Sequence, residues 1–159
     1  MDDTRWLSDD EQLMWRRYRD FRQLLELAIE RDLQRESGIS VSDYAVLVVL
    51  SEVEDCGMRS RELGSALGWD RSRVSHQVRR MEGRGLVAKR VAPDDGRGTL
   101  ISLTAEGASA IREAAPRHVA KVRELFVDLL TPAEIASLTD VFDRVVARID
   151  EVDGIRLPH

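Results

Sequence analysis

Along most of this chain, apolar residues recur at alternating steps of three and four, which predicts helices. Ser8-Asp9-Asp10-Glu11 has the spacing of a capping box, and Met14, Tyr18, Phe21, Leu25 and Ala28 follow on one face. These residues predict a long helix to about Arg35, ended by Gly38. Ser40-Val41-Ser42-Asp43 precedes a second apolar stretch, Tyr44 to Val53. That stretch is rich in β-branched residues and also fits a strand; the cap ahead of it and its length favour a helix. Cys56-Gly57-Met58 breaks it.

The middle of the chain changes pattern. Ser60 to Leu67 is a short segment with apolar positions at Leu63, Ala66 and Leu67. After Gly68-Trp69, Asp70 is a good N-cap for a helix with Val74, Val78 and Met81 at helical spacing, stopped by Gly83-Arg84-Gly85. Leu86 to Val91 and Thr99 to Leu103 read as two strands around the polar tip Ala92 to Gly98. Thr104 caps a helix through Leu130, whose interior Pro116 should kink it. Thr131-Pro132-Ala133-Glu134 starts a last helix that continues to about Glu151. The expected fold is mainly α with a small β-hairpin wing. Residues 1–38 and 108–159 form long N- and C-terminal helices around a winged helix-turn-helix region, 39–107.

Charge sharpens this reading. The formal net charge is -5, which by itself argues against a nucleic-acid partner. Between Arg59 and Arg97, however, nine Arg and one Lys face five acids, a local +5, and the remainder carries -10. A basic segment in an acidic chain is either a footprint for a polyanion or a solvated helix face. The residues after Asp70 favour the first. Arg71, Ser72, Arg73, Ser75, His76, Gln77, Arg79 and Arg80 fill the positions between the apolar anchors, whereas a merely soluble face mixes Glu with Lys. The second helix of a helix-turn-helix enters the major groove, and an Arg fork matches the two acceptors of guanine. Arg73 and His76 are the expected base contacts. Arg79 and Arg80 lie further along, against phosphate or solvent.

The same residues resemble the MarR-type regulators, named for multiple antibiotic resistance. Ser60 to Gly68 is similar to the family's first motif helix, and Arg73 to Val87 to its recognition helix and first wing strand. Asp95-Gly96-Arg97, followed by a strand and Leu103-Thr104-Ala105-Glu106-Gly107, is similar to its wing signature. The resemblance implies a DNA-binding transcriptional regulator, a repressor, that binds a pseudo-palindromic operator as a homodimer. It implies that Arg97 enters the minor groove with Asp95 as its carboxylate partner, that Ser60 and Arg61 lie near the DNA backbone, and that the outer helices dimerise.

Weaker signals remain. The family often binds small anionic aromatic ligands, for which Trp15, Arg16, Arg19, Tyr44 and Trp69 could supply stacking and charge, although such aromatics are more often plain core. Cys56 falls after the second helix, away from the first-helix position of the family's peroxide-sensing cysteine. His76, His118 and His159 lack metal-ligand spacing, so no metal or cofactor is expected. No Gly-x-Ser-x-Gly, phosphate-binding loop or Cys-x-x-Cys suggests an enzyme. The longest apolar run, Ala45 to Leu50, is far short of the ~20 residues of a membrane span. With an acidic N-terminus and a single cysteine, a cytoplasmic protein is expected.

Overall fold

Short polar caps fix where the longer helices begin. In the computed structural model, which describes residues 4–53, 57–91 and 99–155, the first helix α1 spans Asp9–Ser37. The Ser8 backbone N–H donates to the Glu11 carboxylate at 2.7 Å, and the Glu11 N–H donates back to Ser8 Oγ. Gly38, at φ 63°, closes the helix in the left-handed region. Helix α2, Val41–Ser51, has the same device from Ser40 and Asp43. A third donor at its start, the Val41 N–H, reaches Glu30 of α1 at 2.8 Å. With its first turn held this way, the β-branched run folds as a helix and buries Val46, Leu47 and Leu50. It ends at Ser51, two residues before the expected Val53.

The sheet is larger than the sequence pattern predicts. Strand β1, Met58–Arg59, leads directly into α3, Ser60–Leu67; α4 spans Arg71–Gly83, β2 Val87–Val91 and β3 Thr99–Leu103. The hairpin β2–β3 pairs Val87 with Leu103 and Val91 with Thr99. β1 adds antiparallel to the other side of β3, through Met58 with Ile101 and Arg59 with Leu100. The wing therefore has three strands. Gly57 makes this pairing possible: it sits at φ 76°, and a Cβ there would lie 2.7 Å from the Ile101 carbonyl oxygen.

Helix α5, Ala105–Leu125, continues past Pro116. It stops five residues before the expected end, at Phe126 (φ -141°), and a 3-10 turn over Val127–Leu129 follows. Helix α6, Pro132–Asp153, starts with the expected Thr131–Glu134 box. One core joins α1, α2, α3, α4, the sheet and α5 through Leu33, Leu47, Leu63, Val78, Ile101 and Ile111. α6 contributes no buried residue to it.

A buried carboxylate locks α4 to this core. Asp43 is 1% exposed. Its oxygens accept from Gln77 Nε2 at 2.7 Å, Arg84 at 2.6 Å and the Ser40 N–H at 2.9 Å. Arg84 also donates to the Gly38 carbonyl at 2.7 Å, so the end of α4 is tied to the α1–α2 turn. Burial pushes the Asp43 carboxyl up, but the Ser40 donors and Arg84 more than offset it and hold it below its ordinary value. Its stabilising contribution is therefore present at neutral pH and lost as pH falls through that lowered value. Asp43→Ala should cost about 1–3 kcal/mol in denaturant unfolding at pH 7, because a buried Gln77 donor loses its partner. The deficit should shrink below about pH 4; a deficit independent of pH would contradict the charged clamp.

Candidate nucleic-acid interface

Helix α4 presents two different sides. Val74, Gln77, Val78 and Met81, spaced as one helical stripe, are buried. Arg71, Ser72, Arg73, Ser75, His76, Arg79 and Arg80 are exposed, so seven of the expected contacts share one solvent-facing surface. Gln77 does not join them. It is polar, but it lies three residues after Val74 and one before Val78, and its amide is committed to Asp43 inside the fold. The sequence reading grouped it by polarity when its helical position is that of an anchor.

The N-terminus of α4 is built around Asp70. One Asp70 oxygen accepts from the Arg73 backbone N–H at 2.9 Å and from Ser72 Oγ at 2.6 Å. The Ser72 hydroxyl, followed by the Arg73 N–H, holds the carboxyl below its ordinary value. Ser72 is thus part of the cap as well as of the exposed face. The Arg73 guanidinium lies over the Trp69 ring, 4.2 Å from its centroid. Among the described residues, no ion pair joins Arg71, Arg73, Arg79 or Arg80 to a carboxylate. The acid at the far end, Glu82, is occupied by Lys89 of β2 at 2.7 Å. The exposed side of α4 is therefore a basic surface with its guanidinium donors facing water.

α3 and the sheet flank this surface. Ser60, half-buried, opens α3, and Arg61 beside it is exposed. The wing is fastened to the exit of α4 by Thr104, whose Oγ1 donates to the Gly85 carbonyl at 2.5 Å and whose N–H donates to Leu86 O at 3.2 Å. Gly107 completes the joint, since a Cβ there would overlap the Leu86 carbonyl. The Leu-Thr-x-x-Gly pattern is thus the joint between wing, α4 and α5. Asp95 and Arg97, and also Cys56 and His159, lie outside the described residues.

The residues that could have served a ligand each have a contact or exposure of their own. Trp15 stacks on Tyr18, Tyr44 meets His118 of α5 at a tilt, and Trp69 lies under Arg73; Arg16 and Arg19 are exposed on α1. Among the described residues, no group of three His, Cys, Asp or Glu side chains could hold a metal, and no helix is long and apolar enough to cross a membrane. Sequence reasoning missed the Asp43–Gln77–Arg84 clamp, which long-range pairing alone reveals. It also missed the Trp69–Arg73 stack, because Trp69 lies ahead of α4 and shares no helical face with Arg73.

Two short helices joined by a tight turn, followed by this small antiparallel sheet, define a winged helix-turn-helix. The MarR family's sequence profile matches residues 37–98. The chain is similar to AbsC, a MarR family transcriptional regulator from Streptomyces coelicolor. The two are 39% identical with a TM-score of 0.87, over 93% of this chain and 99% of that one. It is equally similar to Sco3205, a MarR family regulator from the same organism solved in complex with DNA. There the identity is 39% and the TM-score 0.88, over 99% and 98% of the two chains. The transcriptional repressor MprA of Escherichia coli K12 is 26% identical over 125 residues, 77% of this chain and 70% of that protein. The chain belongs to the MarR family of transcriptional regulators.

The inward Gln77 has a direct consequence. Gln77→Ala should destabilise the fold by about 1.5–3 kcal/mol, the range for a hydrogen bond to a charged group. It should leave the ratio of affinities for preferred and unrelated DNA unchanged, as read by competition binding. A changed base preference would return Gln77 to the DNA surface.

Proposed function

We propose that the chain is a repressor that binds a pseudo-palindromic operator as a homodimer, with α4 in the major groove. The observation that carries this reading is the exposed basic side of α4. Among the described residues, four arginines there have no carboxylate partner, while the opposite side is anchored in the core. In this reading Arg73 and His76 address base edges, with Arg71, Ser72 and Ser75 beside them, and Arg79, Arg80, Ser60 and Arg61 lie toward the phosphates. Arg97, oriented by Asp95, reaches the minor groove; that part is supported by the family's wing pattern. Repression is supported by the likeness to MprA, a repressor. Release by a small aromatic or anionic ligand belongs to the same reading, with the family resemblance as its support.

Residues 39–107 are the DNA-binding unit in this proposal, and 1–38 and 108–159 form the dimer arms. The physical support is apolar surface. Along α1, Leu13, Met14 and Leu24 are exposed, and along α6 so are Phe142, Val145, Val146 and Val152. A 22-residue helix that buries nothing within its own protomer leaves a long apolar stripe that water disfavours. A second copy covers it by symmetry and places two α4 helices for the two halves of an operator.

Two measurements test this. Sedimentation at micromolar concentration should give twice the 18.0 kDa chain mass, and Phe142→Glu should shift the population toward monomer; a wild-type monomer would refute the dimer. Selection from a random DNA pool should return a two-fold site, and Arg73→Ala should weaken binding to it by roughly 1–3 kcal/mol while blurring its sequence preference. Uniform weakening on all sequences would assign Arg73 to phosphate instead.

A further inference from the structure

The contact between Trp69 and Arg73 carries a consequence for how the protein reads DNA. Trp69 is rigidly placed. It follows Gly68, which closes α3 at φ 64°, and its N–H donates to the Gly64 carbonyl at 2.9 Å. Its ring is half-buried against the core. The next residue, Asp70, is the nearest carboxylate in sequence; its Oδ1 accepts from the Ser72 hydroxyl and the Arg73 backbone N–H, and the Arg73 charge acts on it without a hydrogen bond from the guanidinium. The Arg73 guanidinium rests on an aromatic face, with its centre 4.2 Å from the ring centroid.

The difference between a ring face and a carboxylate matters. A carboxylate engages the in-plane N–H fork, and that pair must break before the fork can meet guanine. A stacked ring engages only the flat face of the guanidinium and leaves all five N–H donors free. It also restricts a long, flexible side chain, which then loses less freedom on docking. We propose that Trp69 is a positioning residue for DNA recognition: its ring pre-orients the Arg73 guanidinium for a base edge without occupying its donors. This rests on the assignment of Arg73 to a base contact. The bland alternative is that Trp69 only fills the core beneath α3 and α4. Both roles predict some loss of stability when the ring is removed, but only positioning predicts that its effect on DNA depends on Arg73.

A double-mutant cycle on the full-length protein separates them. The probes are the duplex selected from a random pool and a scrambled duplex, at one fixed salt concentration. Trp69→Leu should weaken the selected duplex by about two- to tenfold, the ordering cost of one long side chain that is no longer held in advance, and should scarcely change the scrambled one. Trp69→Phe should recover most of the loss. In an Arg73→Ala background, Trp69→Leu should have no further effect on DNA affinity. Equal effects in both backgrounds, equal weakening of both duplexes, or tighter binding would overturn the positioning role. If Arg73→Ala weakens the selected duplex but no coupling to Trp69 appears, only this inference falls. If Arg73→Ala leaves that binding unchanged, the base-contact assignment falls first. The wild-type protein gives a readout that does not depend on variants folding. The Arg73 δ protons should be shifted upfield by the ring in the free protein and stay shifted in the DNA complex. Loss of that shift on binding would make the stack a resting state and refute the proposal.

Discussion

The placement of α4 depends on one buried carboxylate. An ionised carboxylate taken out of water is costly unless donors replace its hydration. Asp43 has such donors from three parts of the chain: Ser40 at the start of its own helix, Gln77 in the middle of α4, and Arg84 just beyond α4. The cost of an unsatisfied carboxylate turns this into a geometric demand, since a shift of α4 along or about its axis would strip Asp43 of a donor. Arg84 is only partly buried, so its own charge is cheap to keep, and its second bond to the Gly38 carbonyl extends the constraint to the end of α1. The orientation of α4 and its basic side is thereby set against the helices that lead into the arms.

A second joint works from the other end. Thr104 and Gly107 at the start of α5 grip the carbonyls of Gly85 and Leu86, immediately after α4. The hairpin β2–β3 enters and leaves through this joint, which couples α4, the hairpin and α5. α5 in turn packs along α1, where Phe21 meets Phe126 with ring centroids 5.0 Å apart, and Arg117 donates to the Glu36 carbonyl near the end of α1 at 3.0 Å. A chain of packed and hydrogen-bonded contacts thus runs from the exposed arginines to the arms. In a dimer, such a chain makes the separation of two α4 helices a property of how the arms meet.

What the sequence disclosed follows from the range of the forces involved. Caps are local, so Ser8, Ser40, Asp70, Thr104 and Thr131 announced each described α-helix of more than eight residues, and they resolved α2 against its β-branched composition. Strand β1 was illegible because two residues carry no period; it exists through Gly57, whose need for positive φ and close approach to Ile101 is a tertiary fact. Gln77 was misplaced because side-chain polarity suggests exposure, whereas its stripe position and a partner 34 residues away decide burial. The end of α5 was overrun because Phe126 and Leu129 continue the apolar helical spacing of Val122 while the backbone tightens into a 3-10 turn over Val127–Leu129.

The arginines show why a negative net charge does not bar a polyanion partner. Some arginines of the arms are paired at helical spacing: Arg35 with Asp32, Arg144 with Asp140, Arg148 with Glu151. Exposed pairs of this kind add little to stability, but they cancel charge locally. On α4 the same residue type has no carboxylate partner among the described residues, and the acid at each end is occupied, Asp70 by the cap and Glu82 by Lys89. Charges separated by more than about one Debye length, roughly 8–10 Å at ordinary salt, scarcely feel each other. A ligand approaching α4 therefore meets the local surface rather than the total charge. An acidic remainder then orients a polyanion more than it opposes one, because the basic side of α4 is the more favourable side to approach.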